Sequence, residues 1–171
     1  MHLLRDAFPE GARATPVTRD DPNRRWRIIG VGSPVTGDDL GWRAIEALRA
    51  AGLDRCAELL ALDRPGPALL EYLQPDGAVI LIDAMEAGLP PGSIRELRLD
   101  ELVRAGRMPS SHDFGVADAL ALAQALKRLP RRLHVLGLQA SDGAGTYAWR
   151  RDRQRELLQQ VRAILDLPDP A

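Results

Sequence analysis

Two carboxylates and one imidazole, Asp39, Asp83 and His112, stand where this 171-residue chain could hold a divalent metal. Gly37-Asp38-Asp39 and Ile82-Asp83-Ala84 each follow an apolar run, and Ser110-Ser111-His112-Asp113 comes just before a helical pattern. In an open α/β domain those are the places where loops gather at one edge of the sheet. Two oxygen donors and one nitrogen donor meeting there would leave positions open for water and substrate. Such a site can polarise a carbonyl and lower the pKa of a bound water.

Each residue also has a plainer reading. Asp38 or Asp39 is well placed to cap the following helix, and position alone favours a cap at Asp39. Asp83 follows five apolar residues, and a carboxylate buried there without a partner is costly. It calls for a metal, a cation or several hydrogen-bond donors. His112 lies in a polar loop, where a lone histidine is ordinarily solvated. Asp113 could cap the helix from Val116 or orient the imidazole. His134 sits in an apolar strand and reads as a packed histidine, while His2 belongs to the terminus. Cys56 falls in an apolar run and reads as a buried structural thiol.

The elements that would position these residues alternate. Trp26–Val31 predicts a strand buried on both faces, broken at Gly32-Ser33-Pro34. Leu40, Ala44, Ala47, Leu48 and Ala51 recur at helical spacing, with Gly52 as the stop. Cys56–Leu62 predicts a second strand, Ala68–Leu73 a short helix, and Ala78–Ile82 the central strand. Ile94–Leu99 predicts an edge strand, and Glu101–Phe114 a polar loop. Val116–Leu129 predicts a helix, Leu133–Leu138 a buried strand, and Trp149–Leu167 an amphipathic closing helix. The expected fold is an α/β three-layer sandwich, with a twisted, mostly parallel sheet flanked by helices on both faces. Residues 1–25, rich in Pro, Gly, Arg and Asp, read as a flexible extension, and residues 26–171 as a single domain.

Composition narrows the function. Apolar residues make up 45% of the chain but aromatics only 4%, so aliphatic side chains must fill the core. The net charge of −1 argues against general nucleic-acid binding. No apolar stretch is long enough to span a bilayer, no secretory signal is visible, and the single cysteine suits a reducing cytoplasm. Gly30-Val31-Gly32-Ser33-Pro34-Val35 lacks the third glycine of a dinucleotide fingerprint, and the acids after it would repel phosphate. There is no P-loop and no Gly-x-Ser-x-Gly elbow.

Taken together, these segments resemble the hydrogenase maturation endopeptidases, which process the large subunit of nickel-iron hydrogenases. GVGSPVTGDDLGWRAIEAL (Gly30–Leu48) is similar to that family's first strand, loop and helix. VILIDAMEAGLPPGSIREL (Val79–Leu97) is similar to its central strand and turn, SSHDFGVADALALAQAL (Ser110–Leu126) to its histidine loop and helix, and LHVLGLQ (Leu133–Gln139) to a later strand. The resemblance implies that Asp39, Asp83 and His112 are the metal-contacting and catalytic residues. It implies nickel as the metal, delivered within the substrate, with another divalent ion as the alternative. The implied partner is a hydrogenase large-subunit precursor, and the implied reaction is removal of its C-terminal extension in the cytoplasm. A non-catalytic assembly factor with the same fold is the competing expectation. The chain departs from the family pattern in several places. Ser33 stands where many relatives have Asn, and one residue is missing between Asp39 and Gly41. Asp63-Arg64-Pro65-Gly66 replaces a glycine-rich Asp-Gly-Gly-Thr.

Overall fold

The computed structural model describes residues 26–34, 38–105, 114–140 and 149–168. Its centre is a five-stranded sheet: β1 (Trp26–Gly32), β2 (Ala57–Asp63), β3 (Ala78–Met85), β4 (Ile94–Glu96) and β5 (Arg132–Gln139). The strand order is β2-β1-β3-β5-β4. Four strands run parallel, and β4 closes one edge antiparallel to β5. The expected α/β sandwich is the observed architecture.

The period-two alternation of the strands divides the core into two layers. Trp26 and Ile28 of β1, Ala78, Ile80 and Ile82 of β3, and Leu136 and Leu138 of β5 form one. They pack under α1 (Leu40–Ala50) and α4 (Arg151–Ile164), whose Leu157 and Val161 are fully buried. Ile29, Val31, Val79, Leu81 and Val135 face the other way, against the 3-10 turn Gly66–Glu71 and α3 (Val116–Ala125). Strands covered on both sides read as unbroken apolar runs, which is why β1 and β3 were plain in the sequence.

One predicted loop begins as a helix. α2 (Leu99–Ala105) occupies the start of the stretch expected to be irregular. Its charges mask the pattern: Asp100 and Glu101 sit in the first turn and Arg104 in the last, and Arg104 pairs with Asp100 at 2.8 Å. Leu99, Leu102 and Val103 nonetheless share the inward face, with Val103 buried. β4 is correspondingly shorter than the predicted Ile94–Leu99. Gly52 ends α1 in the left-handed conformation, φ 79°, as its position suggested. Cys56 is only partly buried, and its thiol donates to the carbonyl of Leu53 just ahead of β2. The expected N-terminal extension, residues 1–25, lies outside the described residues.

Candidate active site at the carboxyl edge of the sheet

From β1 the chain crosses to β2 on one side, and β3 lies on the other. The carboxyl ends of β1 and β3 therefore flank the point where the strand order reverses, the usual place for a site in an open α/β sheet. Asp83 is the sixth residue of β3, which runs on to Met85, so the acid lies within the strand rather than after it. Asp39 stands immediately before α1.

Missing side chains bring α1 down onto the strand ends. A Cβ on Gly30 would overlap the backbone of Gly41, and one on Gly41 would overlap that of Val31. That added Cβ would also lie 2.8 Å from the carbonyl oxygen of Ile82, the residue before Asp83. The first turn of α1 thus rests directly on β1 and β3. Trp42 Nε1 donates to the Leu62 carbonyl at 2.8 Å, tying the same turn to the end of β2. At the end of β1, the amide of Ser33 donates to the carbonyl of Asp38 at 3.0 Å. The amide of Arg64, φ 36°, donates to the carbonyl of Gly32, also at 3.0 Å.

The two acids differ in surroundings. Asp39 occupies the N-cap position but makes no side-chain capping bond. Its Oδ2 instead accepts from Arg43 Nε at 2.7 Å, one helical turn on. Its Oδ1 is sealed from solvent and has no hydrogen-bond partner among the described residues. Such an oxygen is costly to leave alone and suits a cation. Asp83 is pushed up to about 7, first by loss of water around the carboxyl and further by the charge of Asp38; the Ala84 amide, donating to Oδ1 at 2.9 Å, opposes this. Opposite Asp83, β5 carries Gly137, and Met85 and Leu97 take the space a side chain there would need.

Asp39 and Asp83 thus reach the same edge on elements in direct contact. His112 and Asp113 lie outside the described residues. α3, which follows them, takes Gly115 as its N-cap, and the Asp118 carboxylate accepts from the Gly115 amide at 2.9 Å. Among the described residues no three His, Cys, Asp or Glu side chains form a group able to hold a metal. His134 is on β5, half-exposed, with Nδ1 2.6 Å from Glu96 Oε1 and its ring 5.8 Å from Trp26.

Three residues near the edge gave little sign in the sequence. The charge of Asp38, read there only as an alternative cap, acts on Asp83. Arg43 reads as an ordinary helix-surface cation until its carboxylate partner is known. Gln139, buried at the end of β5, accepts from the amides of Ala87 and Leu89 at 2.8 and 3.2 Å and donates to Glu86 Oε2 at 3.2 Å. It fixes the turn after β3. A polar residue ending an apolar strand was the available signal.

The family model of the hydrogenase maturation proteases (HycI) matches residues 43–160. This chain belongs to the hydrogenase maturation protease family. The matched stretch contains Asp83 and His112 and begins just after Asp39. Among curated relatives of the family, the hydrogenase expression/formation protein HupD of Thiocapsa roseopersicina is 31% identical over 116 residues, 66% of this chain and 52% of that protein. HupD of Bradyrhizobium diazoefficiens is 29% identical over 124 residues, 70% of this chain and 65% of that one. The chain thus spans between about half and two-thirds of the length of these relatives. Among solved structures, the hydrogenase-maturating endopeptidase HybD from Escherichia coli has the same fold, with a TM-score of 0.61 at 24% identity, over 83% of this chain and 92% of that one.

Proposed function

We propose that this protein is an endopeptidase that removes the C-terminal extension of a hydrogenase large-subunit precursor. Family membership is the observation that carries the reading. The geometry at the carboxyl edge is compatible with it. In this proposal Asp39, Asp83 and His112 are the catalytic set and contact a nickel ion that the precursor brings with it. Another divalent cation is the alternative.

The chemistry of the donors fits such a cargo. Asp39 offers an oxygen with no partner among the described residues, and Asp83 stands in a water-poor setting where a cation would offset its charge. Contact with the ion would fix the precursor so that its scissile bond lies over the edge. Hydrolysis adds a water oxygen to the peptide carbonyl carbon and returns a proton to the departing amine. His112 is proposed as the third contact, with Asp113 orienting it. The reaction would take place in the cytoplasm. Among the described residues no helix is long and apolar enough to cross a membrane.

The test is mass spectrometry of the large subunit from cells with and without this protein. A longer C-terminus in its absence is expected. In a purified reaction on the nickel-loaded precursor, Asp83→Ala and His112→Ala should each lower processing by at least about a hundredfold. Near-normal cleavage by both would reject the assignment. Parallel Asp38→Asn and Asp39→Asn variants decide which of the adjacent acids meets the ion. Unchanged subunit mass, together with retained binding of the precursor, would establish the assembly-factor reading instead.

A further inference from the structure

We infer that Arg43 is a positioning residue, holding the Asp39 carboxylate so that one oxygen alone is presented to the cation. The inference rests on the proposed contact between Asp39 and a substrate-borne ion, and it goes on to assign a role to a neighbour that touches neither substrate nor metal.

Arg43 Nε lies 2.7 Å from Asp39 Oδ2, while Oδ1 is solvent-sealed and without a partner among the described residues. A residue at the start of a helix normally turns its oxygen onto the exposed amides of the first turn. Asp39 makes no such bond, and its backbone, φ −94° and ψ 3°, is not the extended one usual for a capping residue. The carboxylate turns to Arg43 instead, and its second oxygen is left without a partner among the described residues. A helix-surface pair of this spacing would give modest support to α1, and that alone would not require an unpartnered, buried oxygen. The arrangement makes sense as a fixed single-oxygen donor. The guanidinium is planar and rigid, so it sets the plane of the carboxylate as well as its place.

Electrostatics separates this role from that of a bystander. A fixed positive charge in contact with a cation ligand weakens cation binding through space. If Arg43 did nothing else, removing it would tighten binding. If it positions Asp39, removing it loosens binding despite the relief of repulsion. The two roles predict opposite signs.

The experiment is calorimetric titration of the full-length protein with Ni²⁺ alone, with thermal unfolding of each variant recorded without metal. Arg43→Ala should bind at least about tenfold more weakly than wild type, as loss of a residue orienting a ligand commonly does. Arg43→Lys, which keeps the charge without the planar fork, should recover part of the loss. Asp39→Asn should weaken binding, and adding Arg43→Ala to it should cost little more, because the arginine acts through the acid. Equal or tighter binding by Arg43→Ala, or fully additive losses in the double variant, overturns the positioning role. If wild type takes up no Ni²⁺, or Asp39→Asn binds as wild type does, the contact at Asp39 falls first and the role of Arg43 with it.

Discussion

Asp83 shows how a single carboxyl couples the fold to pH. Its pKa rises from an ordinary 3.8 to about 7, chiefly because burial disfavours the charge. Between those values the folded protein holds a proton that the unfolded chain has lost, so stability falls as pH rises through this window and levels off above it. At about 1.4 kcal/mol per pKa unit the penalty at pH 8 is at most about 4 kcal/mol, reduced by the solvent that still reaches this half-buried residue. Asp83→Asn should therefore be more stable than wild type at pH 8 and nearly equal at pH 4, as denaturant unfolding at both values would show. Identical pH slopes in the two proteins would contradict the assigned burial cost. If Asp83 contacts the ion, Ni²⁺ affinity should also climb with pH up to about 7, because the proton must leave first. The sequence made Asp83 conspicuous, since five apolar residues leave a following acid short of water. It could not separate Asp38 from Asp39. Where the two carboxylates come to lie depends on the close seating of α1, which no local pattern encodes.

At the scale of elements, that seating is the decisive contact. Gly30 and Gly41 lie eleven positions apart: the backbone of Gly41 fills the space a Gly30 side chain would need, and the backbone of Val31 and Ile82 fills that of a Gly41 side chain. Gly41→Val should cost more than about 3 kcal/mol, read as a large drop in melting temperature, because backbone rather than a flexible side chain must yield. Gln139 exerts a second control. Gln139→Leu would leave the amides of Ala87 and Leu89 without their acceptor, a loss of about 2 to 3 kcal/mol, and hydrogen exchange at those two amides should quicken. Strands and long helices were legible from apolar period. α2 was not, because in seven residues its charged turns outweigh three apolar contacts.

For the molecule as a whole, the alternation of strand and helix was enough to predict a parallel, doubly covered sheet. It did not give the order β2-β1-β3-β5-β4 or the reversed β4, since strand order depends on long-range pairing. Hydrogen exchange should be slowest in β1 and β3, which are paired on both sides and buried on both faces, and fastest in the three-residue β4. Faster exchange in β3 than in β4 would contradict the topology. The turn before β3, with Asp76 exposed, lies at the end of the sheet remote from Asp39 and Asp83. A fluorophore or surface tether attached there would leave the acids unobstructed, so a captured precursor could be watched on an immobilised protein.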